Sequence, residues 1–91
     1  MIKIEIFKSK NCPYCDPATE IVKRVTKKSK GVEVIETYLE SRGGAAKALM
    51  FGVESVPTIL INEKIAFVGV PEEAKLERAI KKAGEKNEET S

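Results

Sequence analysis

The beginning of the chain changes its hydrophobic period from that of a strand to that of a helix, and this change constrains the fold most. Isoleucines alternate with polar residues from Ile2 to Ile6, which predicts a first strand. A helical stripe with i, i+3, i+4, i+7 spacing follows at Ala18, Ile21, Val22 and Val25. Within this helix, Pro17 is expected to remove one hydrogen bond. Residues 32–39, rich in β-branched side chains, predict a second strand that a right-handed crossover makes parallel to the first.

The rest of the chain predicts a short helix, a hairpin and a last helix. The short helix, capped by Ser41 and ended by Gly52, contains Ala45, Ala46, Ala48, Leu49 and Met50. Residues 58–61 and 65–68 are two short apolar runs joined by a tight turn at 62–64, which is typical of an antiparallel hairpin. The last helix has an apolar stripe at Leu76, Ala79, Ile80 and Ala83. The order β-α-β-α-β-β-α predicts an α/β fold with a four-stranded mixed sheet and helices on both faces.

The length of the chain limits it to one small domain, and its charge limits the partners that it can bind. We assign this domain to residues 1–84 and a polar tail to residues 85–91 of the 91-residue chain. Sixteen basic and 14 acidic residues are mixed along it, and this net charge of +2 argues against a nucleic-acid-binding platform. No apolar stretch reaches the length of a membrane span and no signal peptide is evident, so we expect a cytoplasmic protein. Its abundant lysine and glutamate are compatible with a thermophilic source.

The chain has only two cysteines, which stand three positions apart where the first strand gives way to the first helix. We predict that the helix begins at Cys12-Pro13, because a proline in the first helical position has no hydrogen bond to lose. Cys15 then lies one turn inside. A helix N-terminus favours a thiolate, which is the form that attacks disulfides, so Cys12 is the expected nucleophile. The nearby Lys8 and Lys10 either favour this thiolate further or belong to a solvated loop.

Three interpretations of the Cys12–Cys15 pair are open from the residues alone. A structural disulfide across so short a loop would stabilise the fold by roughly 2 kcal/mol, against about 4.7 kcal/mol for a 100-residue loop. Zinc or an iron–sulfur cluster normally needs four ligands, and a chain with two cysteines and no histidine would have to share such a site with a second chain. Thiol–disulfide exchange is favoured, because a C-x-x-C motif beside a β-α-β pattern is typical of redox proteins.

Two segments make the chain resemble the thioredoxin-like superfamily, and the resemblance spans nearly all of it. The sequence Cys-Pro-Tyr-Cys at 12–15 is similar to the active site of glutaredoxins. The sequence Ser-Val-Pro-Thr at 55–58 resembles the cis-proline segment of the superfamily. This resemblance implies a thioredoxin fold in which the Val56–Pro57 peptide bond is cis and Pro57 stands beside the reactive disulfide. It also implies that the main chain of Val56 offers hydrogen-bonding groups to a substrate.

Neighbouring residues distinguish the branches of the superfamily. The segment 67–72 has a single glycine where glutaredoxins usually carry a Gly-Gly pair, and Ser9 stands where they often have a lysine. Both departures disfavour glutathione binding. Asn11 and Ile6 replace a tryptophan and a buried aspartate of thioredoxins, so solvent or another group must deprotonate Cys15. This combination is similar to the small, glutaredoxin-sized thioredoxins of archaea.

The resemblance implies a thiol–disulfide oxidoreductase that reduces protein disulfides, with Cys12 as nucleophile and Cys15 as resolving thiol. The expected docking surface around the sulfur comprises Pro13, Tyr14, Val56, Pro57 and Val70. We expect no metal or cofactor besides the redox-active disulfide, and a monomer that binds neither nucleic acid nor membranes. Its expected partners are disulfide-containing proteins and, as electron donor, a thioredoxin-reductase-type flavoenzyme or a small thiol. The alternatives are a glutathione-dependent glutaredoxin and a non-catalytic iron–sulfur or zinc carrier that bridges two chains.

Overall fold

The structure, a computed structural model, describes residues 1–90, with side chains described for residues 1–85. Its elements follow the predicted order and are β1 (Ile2–Lys8), α1 (Cys15–Lys27), β2 (Val32–Tyr38), α2 (Gly44–Met50), β3 (Thr58–Ile61), β4 (Lys64–Val68) and α3 (Glu73–Thr90). The backbone of α3 continues into the predicted tail at 85–91, most of whose side chains lie outside the described residues. The division into a domain at 1–84 and a tail therefore stays a prediction.

The strands form one four-stranded mixed sheet in the order β2-β1-β3-β4. β1 pairs in parallel with β2 and antiparallel with β3, and β3 pairs antiparallel with β4. The predicted parallel crossover and closing hairpin are thus confirmed. Phe7 near the end of β1 lies opposite Thr58 at the start of β3. The segment that follows β1 and the segment that precedes β3 therefore lie at the same end of the sheet.

Helices cover both faces of the sheet, as predicted, and divide its apolar side chains into two groups. On the face covered by α1 and α3 the core comprises Ile2, Ile4, Ile6, Val22, Val25, Ile59, Leu76 and Ile80. On the opposite face, Ala48 of α2 packs with Phe7 and Leu60. β1 contributes to both groups, and each fully buried isoleucine or phenylalanine side chain stabilises the fold by about 1.5–3 kcal/mol.

One polar position of β1, Glu5, is withdrawn from solvent. Glu5 is only 3% exposed, because α2 lies over this side of the strand. The hydroxyl of Thr37 donates a hydrogen bond to the Oε2 atom of Glu5 at 2.6 Å, and Nζ of Lys47 on α2 lies 2.7 Å from the same oxygen. A buried carboxylate requires such partners, since an unpaired charge in a low-dielectric interior is strongly destabilising. This ion pair joins α2 to the central strand.

The end of α2 requires a glycine. Gly52 has a positive φ of 75°, which other residues rarely adopt. Its N–H donates to the carbonyl of Leu49 at 3.1 Å, and the N–H of Val53 donates to the carbonyl of Ala48 at 2.8 Å. These two bonds form a Schellman motif that satisfies the last carbonyls of the helix. The predicted end of α2 at Gly52 is confirmed.

The start of α2 differs from the prediction. Ser41 does not cap the helix, because its hydroxyl donates instead to the carbonyl of Tyr38. The N-cap residue is Gly43, which makes no side-chain capping bond. The main chain forms a tight turn here, in which the N–H of Gly44 donates to the carbonyl of Ser41 at 2.9 Å. Ser41 thus stands within the turn between β2 and α2, too early in the chain to act as a cap.

Substitution of Gly44 tests the close approach of α2 to β2. A Cβ atom at this position would collide with the main chain of Tyr38, so Gly44→Ala is expected to lower the free energy of unfolding by about 2 kcal/mol or more. Gly84→Ala in α3 is the matched control, because its Cβ would meet Cδ1 of Ile2 at an ordinary 3.4 Å. In this control the higher helix propensity of alanine is expected to raise the free energy of unfolding by about 0.5–1 kcal/mol. Urea unfolding followed by circular dichroism measures both changes, and a stabilising Gly44→Ala would contradict the packing described.

Candidate active site

Cys12 forms a disulfide with Cys15 at the point where the segment after β1 enters α1. Their Cα atoms are 5.4 Å apart, within the range that disulfides require. The two residues differ in their exposure: Cys12 is partly exposed, whereas Cys15 is 1% exposed. A large molecule that approaches this segment from solvent therefore meets Cys12 first.

Helix α1 begins later than the sequence predicted. Its first residue is Cys15, and Tyr14 is the N-cap residue. The N–H of Cys15 donates to the carbonyl of Cys12 at 3.3 Å, and the N–H of Ala18 makes a helical bond to the carbonyl of Tyr14 at 3.2 Å. The predicted start at Cys12-Pro13, with Cys15 one turn inside, was wrong. Residues 12–15 form a turn that leads into the helix.

The late start also changes the role of the prolines. Pro17 occupies the third helical position, where an N–H would have no intrahelical carbonyl to bind, so no hydrogen bond is lost there. Both Pro13 and Pro17 are compatible with a first helical turn. In the structure Pro17 lies in the first turn of α1, and Pro13 precedes the helix. Cys12 then precedes the helix by three positions, at the end where unpaired N–H groups and the helix dipole favour a thiolate.

A proline loop lies at the same end of the sheet, next to the start of β3. The Val56–Pro57 peptide bond is cis, as the resemblance implied. The carbonyl of Pro57 accepts a hydrogen bond at 2.8 Å from the N–H of Gly69, which follows β4. This bond connects the proline loop with the segment that contains Val70. The fold thus brings the sequence-predicted segments 12–15, 56–57 and 70 to one end of the sheet.

Apolar side chains at this end of the molecule are unequally exposed. Tyr14 is 64% exposed and Val70 is 43% exposed, whereas Val56 is half-buried and Pro57 is buried. Pro13, the remaining predicted docking residue, is exposed. Sequence reasoning missed Val68 of β4, which is 67% exposed. Val68 belongs to the apolar run that predicted β4. Such a run indicates a strand with apolar side chains, but it does not show which of its faces a helix covers and which stays exposed.

Lys8, the last residue of β1, is buried rather than solvated, and it precedes the loop of residues 9–14 that contains Cys12, here called the cysteine loop. Its Nζ atom lies 2.9 Å from Oε1 of Glu36 and 5.0 Å from the ring centroid of Tyr38. Burial alone lowers the pKa of Lys8, but its hydrogen bonds and charge interactions with Glu36 and Tyr38 outweigh burial and raise this pKa. The hydrogen bond from Lys8 in turn lowers the pKa of Glu36. The pair is therefore fully charged at neutral pH, and the interpretation of Lys8 as part of a solvated loop was wrong.

Glu40, which sequence reasoning did not single out, contacts the loop that carries Cys12. The hydroxyl of Ser9 donates to its Oε2 atom at 2.6 Å, and the N–H of Lys10 lies 3.2 and 3.3 Å from its two oxygens. The hydrogen bond from Ser9, assisted by main-chain donors, lowers the pKa of Glu40. These residues are some 30 positions apart in the chain and meet because β1 and β2 run in parallel. No local sequence pattern signals such a contact.

The described part of the chain contains neither a metal-binding cluster nor a membrane-spanning helix. It contains no group of three or more histidine, cysteine, aspartate or glutamate side chains placed to hold a metal ion. Of the helices that are described, none combines the length and the apolar character needed to cross a membrane.

Comparison with known proteins identifies the family. The family model described as a thioredoxin domain matches residues 2–81. The chain belongs to the thioredoxin family. A probable thioredoxin of Archaeoglobus fulgidus is 38% identical over 82 residues, which cover 90% of this chain and 89% of that protein. A thioredoxin of Methanocaldococcus jannaschii is 37% identical over 81 residues, which cover 89% of this chain and 94% of that protein.

Solved structures agree on the fold. A mutant thioredoxin from Halobacterium salinarum has a TM-score of 0.77 at 20% identity, over 90% of this chain and 74% of that one. Oxidised thioredoxin O2 from Arabidopsis thaliana has a TM-score of 0.74 at 13% identity, with the same shares of the two chains covered, 90% and 74%. The predicted thioredoxin fold and the resemblance to archaeal thioredoxins are confirmed. The protein is a thiol–disulfide oxidoreductase, the enzyme class that the sequence predicted.

The Lys8–Glu36 pair predicts a specific pH dependence of stability. Glu36→Gln leaves the buried ammonium without an anionic partner and is expected to lower the free energy of unfolding at neutral pH by about 1–3 kcal/mol, since solvent partly screens Glu36. Because folding lowers the pKa of Glu36, the pair stabilises the protein above the ordinary value of 4.5 and stops doing so as the pH falls through the folded-state pKa. Because folding raises the pKa of Lys8, the stabilisation by this pair is lost at alkaline pH only above the ordinary value of 10.5.

Urea unfolding of the wild type and Glu36→Gln across this range measures the difference. The gap between the two proteins should close on the acid side of the ordinary carboxyl pKa. Glu33→Gln, at an exposed position of the same strand, is the matched control and should show little change. A gap that stays constant down to acid pH would contradict the ion pair as its source.

Proposed function

We propose that the protein reduces disulfide bonds of other proteins, with Cys12 as the nucleophile and Cys15 as the resolving thiol. The observation that carries this proposal is the unequal exposure of two cysteines that share a disulfide, since Cys12 is partly exposed and Cys15 is 1% exposed. An exposed sulfur is open to attack a substrate disulfide. A buried sulfur is protected from bulk oxidants and attacks a sulfur that is already bound at Cys12.

The reaction consists of two thiol–disulfide exchanges. The Cys12 thiolate attacks one sulfur of the substrate disulfide, an S–S bond forms between Cys12 and the substrate, and the other substrate sulfur leaves as a thiolate that takes up a proton. Cys15 then loses its proton and attacks Cys12, which forms the Cys12–Cys15 disulfide and releases the second substrate thiolate. The substrate gains two electrons and two protons, and the cysteine pair loses both.

The exposed apolar side chains support a protein rather than a small-molecule substrate. Tyr14, within the cysteine turn, and Val70, at the same end of the sheet, offer exposed apolar area, and Pro13 adds to it. In this proposal the main chain at Val56–Pro57 pairs with the segment of the substrate that flanks its disulfide. The names of the archaeal relatives, which are thioredoxins, support the same class of substrate.

The proposal requires no resident cofactor besides the cysteine pair, which carries both electrons. A thioredoxin-reductase-type flavoenzyme or a small thiol supplies them for the next turnover. We propose a monomer that works in the cytoplasm, where the pair is kept reduced. Its lysine- and glutamate-rich composition supports a thermophilic source.

Substitution of the resolving thiol tests the order of attack. Cys15→Ser is expected to accumulate a mixed disulfide with a test protein such as insulin, and to slow its reduction by about 10²-fold or more. Cys12→Ser is the matched control and should form no mixed disulfide. Non-reducing electrophoresis and mass spectrometry identify the trapped species. Rapid full turnover by Cys15→Ser with a dithiol reductant would contradict the mechanism.

Recovery of the oxidised protein tests the alternative functions. Its rate of reduction by glutathione is compared with that by a thioredoxin-reductase-type flavoenzyme. Faster reduction by the flavoenzyme supports the proposal. Faster reduction by glutathione supports a glutaredoxin if Cys15→Ser also keeps turning over with glutathione, since that route needs only Cys12. Purification of a dimer that contains iron or zinc and dissociates on chelation would support the carrier instead.

A further inference from the structure

We propose that Glu40 is a positioning residue for Cys12, and that its carboxylate holds the turn that carries this cysteine against the end of the sheet. The importance of this residue for turnover rests on the proposed role of Cys12 as nucleophile. The contact itself is a separate statement about the structure, and it can be tested without a disulfide substrate.

The cysteine loop lies outside regular secondary structure. β1 ends at Lys8 and α1 begins at Cys15, so residues 9–14 belong to neither element. The N–H of Leu39 donates to the carbonyl of Lys8 at 2.8 Å, which extends the parallel pairing to the edge of the loop. This bond places Glu40, which follows Leu39, beside Ser9, which follows Lys8.

The carboxylate of Glu40 binds two consecutive residues at once. It accepts the hydroxyl of Ser9 at 2.6 Å and the main-chain N–H of Lys10 at 3.2 and 3.3 Å. The carbonyl of Ser9 accepts the N–H of Cys12 at 3.3 Å. Ser9 is therefore held on its side chain by Glu40 and on its main chain by Cys12. Hydrogen bonds to a charged acceptor are stronger than those between neutral groups, which suits an anchor at an exposed site.

The position of the turn and the negative charge of Glu40 change the pKa of the Cys12 thiol in opposite directions. The hydrogen bond from Ser9 keeps Glu40 ionised, and Lys10 is the neighbouring cation that acts on it. A nearby negative charge by itself raises the pKa of a thiol, because it disfavours the thiolate. A turn held at the helix N-terminus lowers that pKa, because the helix dipole favours the thiolate. Loss of the anchor and loss of the charge are therefore distinguishable by the sign of the change.

The test measures the rate at which iodoacetamide alkylates reduced Cys12 as a function of pH, in a Cys15→Ser background. Ser9→Ala keeps the charge of Glu40 and removes one anchoring bond. It is expected to raise the pKa of the Cys12 thiol and to slow alkylation at neutral pH by about two- to fivefold, the factor that one modest hydrogen bond represents. Glu40→Gln is also expected to slow alkylation, although the loss of its charge opposes this effect. The Ser9→Ala/Glu40→Gln double variant should be no slower than the slower single variant, because the two residues act as one unit.

Glu33→Gln, an exposed glutamate on the same strand, is the matched control and should leave the rate unchanged. Faster alkylation with a lower thiol pKa in Glu40→Gln would show that Glu40 acts only as a charge, and a Ser9→Ala rate equal to the control would show that the anchor has no role. Strictly additive effects of Ser9→Ala and Glu40→Gln would also overturn the proposal. With both cysteines present, the single variants should slow insulin reduction by a similar factor. An alkylation effect without any insulin reduction would leave the anchor intact and overturn the proposed function instead.

Discussion

The burial of β1 on both edges and both faces is the constraint on which the rest of the structure depends. Its edges pair with β2 and β3, and its faces are covered by α1 and α3 on one side and by α2 on the other. Because β2 runs parallel and β3 antiparallel to it, the loop after β1, the loop after β2 and the loop before β3 converge at one end of the sheet. These loops contain Cys12, Glu40 and the cis proline, and Cys15 follows the first of them as the first residue of α1. The site is therefore a consequence of strand order.

Charged groups buried against this strand orient the elements around it. Glu5 meets Lys47 of α2 on one face, and Lys8 meets Glu36 of β2 near the cysteine loop. A misplaced helix or a shifted register would leave one of these charges buried without a partner, which is far more destabilising than the loss of an exposed ion pair. Electrostatics thus disfavours alternative packings, in addition to the stabilisation that apolar burial provides.

The turn before α1 gives the two cysteines different environments within four residues of chain. A helix that began at Cys12-Pro13 would have made both cysteines part of the helix, with Cys15 one turn inside. With α1 beginning at Cys15, the second cysteine belongs to the buried face of the helix, while Cys12 stands in the preceding loop and stays accessible. The sequential attack proposed above needs this arrangement, because in that proposal the resolving thiol has to remain unreacted until a substrate is bound. The difference also makes the position of the loop, and hence its anchor at Glu40, relevant to reactivity.

Much of this was evident from the sequence alone, because it depends on local patterns. The alternation in β1, the helical stripe in α1, the hairpin turn and the glycine that ends α2 are determined by backbone sterics and by the period of each element. The chemistry of the cysteine pair was also local, since its spacing and position between a strand and a helix indicated redox activity. The start of α1 was not, because Pro13 and Pro17 are both compatible with a first helical turn and the local pattern does not choose between them.

Tertiary structure alone decided the environment of each polar residue. The alternation of Lys3 and Glu5 with isoleucines predicts a strand, but only the packing of α2 shows that Glu5 is buried. Lys8 became a buried cation and Glu40 an anchor because parallel pairing brings β2 alongside β1. Such contacts join residues about 30 positions apart, as in the Lys10–Glu40 bond. A one-dimensional pattern records which side chains are polar, but the dielectric around them and the partners they meet are set by elements distant in the chain.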